Sequence, residues 1–99
     1  MDGIDLQREL AFQALLIADW RQTRQIAREP QRYFERNPIL GRHPSEGRVN
    51  SYMLTAGVLH WVISERLSPR WRERWQLVSL HIQANVVYQN YEIGLGLGF

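Results

Sequence analysis

Ser68-Pro69-Arg70-Trp71-Arg72-Glu73-Arg74-Trp75-Gln76-Leu77-Val78-Ser79-Leu80-His81-Ile82-Gln83-Ala84-Asn85-Val86-Val87-Tyr88-Gln89-Asn90 carries two periodicities at once. Trp71, Trp75, Val78, Ile82 and Val86 recur at spacings of three and four, a helical stripe. Val78, Leu80, Ile82, Ala84, Val86 and Tyr88 alternate with Ser79, His81, Gln83 and Asn85, a strand period. Ser68-Pro69 is a cap residue followed by proline at the first helical position, which favours a helix to about Asn90. Helix and strand nevertheless both stand for residues 77–90. From Tyr91 the alternation of Ile93, Leu95, Leu97 and Phe99 with Gly94, Gly96 and Gly98 predicts an extended tail. A terminal Phe after alternating apolar residues is shared with outer-membrane barrels. A barrel needs about eight strands of about ten residues, and no such set is present.

Upstream, Leu6, Leu10, Ala14 and Ile17 recur at helical spacing, predicting a helix over Asp5 to Arg28. Asp2 or Asp5 suits its start, and Pro30 ends it by forcing Glu29 out of the helical region. A second helix starts at Ser45 and runs to about Leu67. Its stripe is Val49, Tyr52, Met53, Ala56, His60, Ile63 and Leu67, with Leu54, Val58, Trp61 and Val62 opposite. Tyr52 to Ile63 is therefore apolar nearly all round, which calls for full burial or lipid. The fold class that follows is mainly α: three helices, an ordered 30–44 connection and an extended C-terminal tail, in one domain over 1–99.

Ninety-nine residues allow one domain that buries about 60–68% of its unfolded surface, a thin core. A net charge of +2 is too small to point to a polyanion, and nucleic acid is not expected as a partner. No cysteine is present, which removes disulfides, thiolate catalysis and cysteine-bearing zinc sites. All twelve basic residues are Arg, a mark of a GC-rich coding genome. The acidic start Met1-Asp2-Gly3-Ile4-Asp5 does not read as a signal peptide. Val49 to Ser64 and Trp75 to Tyr91 carry no Asp, Glu or Arg. They sit at the short edge of what crosses about 30 Å of hydrocarbon. Asn50, His60, His81, Gln83 and Asn85 would be costly there, so membrane-inserted and soluble or peripheral readings both remain.

Three blocks carry a resemblance: Asp19-Trp20-Arg21-Gln22-Thr23, then Glu35-Arg36-Asn37-Pro38-Ile39-Leu40-Gly41-Arg42-His43-Pro44-Ser45, then Arg48-Val49-Asn50-Ser51-Tyr52. With Trp75-Gln76 and Gln89 to Gly94 they resemble a group of small, uncharacterised helical proteins encoded in bacteriophages and prophages. The shared pattern is D-W-x-Q-T followed by E-x-N-P-x-L-G-x-H-P-S, and it would cover Asp19 to Phe99. The resemblance implies a small helical membrane-type protein and implies no activity. This chain departs from it at Met53, at Gln89 and in a more polar third segment.

Few residues group into chemistry. Asp19, Gln22 and Thr23 lie on consecutive turns of the first helix and can form a polar cluster with His60. In a dry site Asp19 and His60 would handle a proton near neutral pH; the plainer reading is a hydrogen bond that fixes helix register. His43, His60 and His81 lack metal-ligand spacing, so neither a metal nor another cofactor is expected. Arg66, Arg70, Arg72 and Arg74, interleaved with Trp71 and Trp75, suit an anion, above all a lipid headgroup at a membrane surface. Glu35, Asn37, Pro38, Gly41 and His43 shape a connection that reads as a recognition loop or as a rigid connector.

The expectation is a non-enzymatic small phage-type helical protein that acts at or in the bacterial inner membrane, or on its cytoplasmic surface. Its partners would be itself or a host protein, with membrane lipid as a third, and no small-molecule substrate is identified. The alternative is a soluble, cytoplasmic helical oligomerisation module. An enzyme built on Asp19 and His60 is the remaining class.

Overall fold

The structure is a computed structural model that describes residues 1–33, 35 and 39–95. Three helices follow one another: α1 (Gly3–Arg28), α2 (Glu46–Arg66) and α3 (Pro69–Glu92). None of the described residues lies in a strand. The mainly α, three-helix expectation holds, and the helical reading takes residues 77–90.

Local chemistry explains the helix ends. Ser45 caps α2, its hydroxyl accepting from the Arg48 amide at 3.1 Å. Ser68 stands at the N-cap position of α3 with Pro69 at its first position, although the Ser68 side chain makes no capping bond. Asp2 stands at the N-cap position of α1, but its side chain makes no capping bond, and Asp5 instead pairs with Arg8 and Arg72. At the end of α3, Leu95 N–H donates to the Asn90 carbonyl and Gly94 N–H to that of Tyr91, both at 3.0 Å. Gly94 takes φ 98°, so this is the paired-bond helix stop that glycine makes cheaply. Tyr91 and Glu92 are therefore helical, and the tail begins after this turn. Its residues 96–99 lie outside the described residues. Leu95, folded back by the turn, is fully buried against Ile26 and Tyr33.

The described residues span 45 × 23 × 22 Å, with α1 as the shared element. Helices of 26, 21 and 24 residues are about 39, 32 and 36 Å long, so all three run most of that length. α1 packs against α2 through Phe12, Leu16, Val49 and Met53, closed at one end by Leu40 from the connection. Trp20 Nε1 donates to Asn50 Oδ1 across the same seam at 2.8 Å. The polar links between α2 and α3 lie near their turn. There Arg72 donates to the carbonyls of Ser64, Glu65 and Leu67, and Trp75 Nε1 donates to Ser64 Oγ. Beyond the turn the two helices leave a groove between them.

Beside this apolar core, each helix also turns apolar residues outward. The recurring apolar residues Leu10, Ala14 and Ile17 of α1 face outward, and the buried stripe is Glu9, Phe12, Leu16, Asp19, Thr23 and Ile26. On α3, Val78 and Ile82 are more than half exposed, while Gln76 and Gln83 are buried. Full burial of α2 is not what the fold provides. Val49, Met53, His60 and Ser64 are buried, whereas Leu54 and Val58 are 60% and 55% exposed.

At Gly57 α2 lies close against α1, and Gln13 Nε2 donates to the Gly57 carbonyl at 3.0 Å. A Cβ there would stand 3.0 Å from Gln13 Oε1 and 3.2 Å from Leu16 Cδ2. Gly57→Leu should lower unfolding stability by about 1–3 kcal/mol through overpacking. Gly47→Ala, which meets open space, should gain from a few tenths to about 1 kcal/mol. Chemical denaturation of the two variants beside the parent chain checks both signs.

Candidate functional site

Two buried polar clusters line α1, one near each end, with an apolar groove running above them. The first centres on Glu9, whose accessibility is 0%. Its carboxylate accepts from Ser64 Oγ at 2.6 Å, His60 Nδ1 at 2.8 Å, Gln13 Nε2 at 2.9 Å and Gln76 Nε2 at 3.3 Å. Those donors come from all three helices. Burial pushes the Glu9 carboxyl up, but the hydrogen bonds from Ser64, Gln13 and His60 and the attraction of the His60 ring together outweigh it. The group is held below its ordinary value of 4.5. Gln76 ties the cluster further, accepting from Arg8 Nε and donating to the Asp5 carbonyl, both at 3.0 Å.

The second cluster centres on Asp19. Gln83 Nε2 donates to it at 2.8 Å, Thr23 Oγ1 at 3.0 Å and Asn90 Nδ2 at 3.2 Å. Gln22 joins by accepting from Asn90 Nδ2 and donating to the Val87 carbonyl. Here burial outweighs the three donors and raises the Asp19 carboxyl above its ordinary value of 3.8.

The fold therefore brings together Asp19, Gln22 and Thr23 but not His60. The expected Asp19–His60 pair does not form. His60 lies on α2 opposite the first turns of α1, where Glu9 claims its Nδ1, while α3 supplies the partners of Asp19. Sequence reasoning missed Glu9, Gln13, Ser64, Gln76, Gln83 and Asn90. The signal was present in part: Gln76, Gln83 and Asn90 are seven apart, one amide every two turns, and His60 and Ser64 are four apart.

His60 is 5% exposed and stacks between Phe12 (centroids 3.6 Å) and Trp75 (4.8 Å). Its Nε2 is shielded from water with no hydrogen-bond partner. The Glu9–His60 contact has the form of a carboxylate that orients an imidazole for proton transfer. Ser64, however, spends its hydroxyl on Glu9 and accepts from Trp75 instead of facing Nε2, so the group is not a nucleophilic triad.

The groove has α1 as its floor (Phe12, Leu16, Asp19, Thr23) and a volume of about 740 Å³. Met53, Leu59 and Ile63 form one wall and Val78, Ile82 and Val86 the other.

Glu35 N–H donates to the Arg42 carbonyl at 2.7 Å, Gly41 turns the chain at φ 84°, and His43 is exposed. Asn37 and Pro38 lie outside the described residues. Of the four arginines, Arg72 is taken up by three carbonyls and Asp5, so it caps the end of α2 instead of waiting for an anion. Arg66 and Arg70 are exposed, and Arg74 lies over the Trp71 ring at 5.1 Å. Among the described residues no group of His, Asp and Glu is arranged to hold a metal. No protein-family model, curated protein or solved structure matches the chain.

The two carboxylates give opposite pH dependences. Glu9, lowered in the folded state, adds stability above 4.5 that is lost as pH falls through its folded value. Asp19, raised in the folded state, adds stability below 3.8 that is lost as pH rises through its folded value. Urea unfolding from about pH 2 to about pH 8 should show Glu9→Gln flattening the acid limb and Asp19→Asn flattening the decline above it. At neutral pH Glu9→Leu should cost on the order of 3–5 kcal/mol, because it strands buried donors on three helices.

Proposed function

We propose that this chain is a non-enzymatic helical protein that works by contact at a bacterial membrane, with its outward apolar faces seated against lipid. The observation that carries this reading is the outward apolar surface on all three helices, set beside buried polar residues on α1 and α3. Glu9, Asp19, Gln22, Gln76 and Gln83 are turned inward and paired, while Leu10, Ile17, Leu54, Val58, Val62, Val78 and Ile82 are turned outward. Apolar exposure of this extent marks a surface that binds lipid or protein. Among the described residues no helix is long and apolar enough to cross a membrane. A peripheral seat needs no crossing; it needs one apolar side and cationic flanks, which Arg66 and Arg70 supply at one end. The phage and prophage resemblance supports the same inner-membrane location, with the chain itself or a host protein as the further partner.

A second reading has its own observation. His81, Asn85 and Gln89 form an exposed polar stripe on α3, which water or a polar partner suits better than lipid. It favours a soluble helical module that buries its apolar faces in an oligomer.

Flotation separates the two. The full chain mixed with vesicles of phosphatidylethanolamine and phosphatidylglycerol should rise with the lipid. The variant Leu54→Ser, Val58→Ser, Val62→Ser should remain below while keeping its helical circular dichroism. A parent chain that stays below with and without vesicles, and sediments as an oligomer, replaces the membrane reading with the soluble one.

A further inference from the structure

We propose that the outward face of α1 is a self-association surface, on which a second copy of the chain lays its own α1 antiparallel across a two-fold axis. The inference rests on the self-association within the proposed function and not on its membrane seat. The buried stripe of α1 runs through Phe12, Leu16, Asp19, Thr23 and Ile26. On the reverse side of the helix Ile4, Leu10 and Ile17 are 64%, 52% and 53% exposed. Gln7, Ala11 and Ala14 are exposed between them. None of these residues is charged, so about 20 Å of helix surface is apolar apart from one amide.

A bilayer that seats α2 leaves this face uncovered. Val49, Met53, His60 and Ser64 turn toward α1, which puts Val58 and Val62 on the far side of α2. The outward faces of α1 and α2 therefore look in opposite directions, and one membrane surface takes one of them. Charge then selects the occupant. The α1 face has exposed Asp2 beyond one end and exposed Arg21 beyond the other. An antiparallel copy sets Asp2 of each chain near Arg21 of its partner, and the opposed helix dipoles add to the fit. A parallel copy sets Arg21 against Arg21 and Asp2 against Asp2, which disfavours it. With the axis beside Ala11 and Ala14, position 7 of one copy meets position 18 of the other. A contact one helix wide is at the small end of specific interfaces, so the dimer forms with concentration.

Sedimentation of the full chain in vesicle-free buffer tests this, over a wide range of concentration. The variant Leu54→Ser, Val58→Ser, Val62→Ser, whose α2 face is polar, should still form a dimer. Adding Ala14→Glu, which puts a charge in the middle of the exposed α1 face, should weaken that dimer at least ten-fold and leave the helical circular dichroism unchanged. The chain has no cysteine, so introduced ones report direction. Chains carrying Gln7→Cys and Ala18→Cys, mixed and mildly oxidised, should cross-link with each other. Neither should cross-link with itself, because two copies of position 7 stand about 16 Å apart along an antiparallel pair. A serine variant that is monomeric at every concentration overturns the proposal. So does a dimer that Ala14→Glu leaves as strong, or Gln7→Cys chains that cross-link with themselves as readily as with Ala18→Cys. A parent chain that fails to float with vesicles yet gives this dimer loses the membrane seat and keeps the self-association surface.

Discussion

The Glu9 carboxylate is the point on which the three helices depend. It has no accessible surface, and its two oxygens take four donors: Gln13 from its own helix, His60 and Ser64 from α2, and Gln76 from α3. A buried carboxylate is tolerable only when fully paired, and no two of the helices can pair it alone. The requirement therefore sets rotation as well as proximity. α2 must present positions 60 and 64, and α3 position 76, toward the first third of α1. Asp19 repeats the demand two to three turns along, where Gln83 and Asn90 of α3 answer it. Position 76 fixes 83 and 90, since seven residues return a helix to nearly the same face.

Once Glu9 and Asp19 face inward together with Phe12, Leu16 and Ile26, the stripe Leu10, Ala14 and Ile17 of α1 lies outward. This is where reading the sequence reached its end. Helix number, the Ser45 and Ser68 starts and the Pro30 stop were all legible, because capping and proline chemistry are local. Periodicity also located real stripes: Leu10, Ala14 and Ile17 on α1, and Val78 and Ile82 on α3. Periodicity gives the stripe but not its side. The usual assumption that the apolar stripe is the buried one holds when water is outside and apolar contacts are the strongest available within. Here the donors and acceptors match across three helices, and that complementarity is a long-range property invisible to a window along the chain. Pairing His60 with Asp19 instead of Glu9 was the same error in small: residue types were right, and helix register was unknown. At the C-terminus the glycines suggested alternation, whereas Gly94 marks the end of a helix, a distinction that depends on the five residues before it being helical.

The groove is a consequence of the same geometry. α1 offers one buried face, polar and apolar by turns, and must share it, so α2 and α3 each meet α1 more fully than they meet each other. They converge at their turn, where Arg72 and Trp75 bind the end of α2, and from there the sides of α2 and α3 that face one another are aliphatic with no helix between them. A three-helix bundle with apolar seams would close this gap, since dispersion contacts reward contact between any pair of helices. Here the α1–α2 seam is apolar through Phe12, Leu16, Val49 and Met53, whereas the α1–α3 links are hydrogen bonds, which reward only the pairs that match.

Mean hydropathy misdescribes such a chain. The value of -0.39 weights every residue alike, yet Glu9, Asp19, Gln22, Gln76 and Gln83 contribute to it while contributing almost nothing to the surface. What a solvent meets on α1 between Leu10 and Ile17 is Leu10, Ala11, Ala14 and Ile17, and on α2 between Leu54 and Ile63 it is Leu54, Thr55, Val58, Leu59, Val62 and Ile63. Those surfaces are incompatible with the average. α3 differs, because His81, Asn85 and Gln89 keep one of its faces polar beside the apolar Val78 and Ile82. The molecule thus has a side that water suits and sides that it does not, and that asymmetry, fixed by where four donors meet one carboxylate, is what its function has to use.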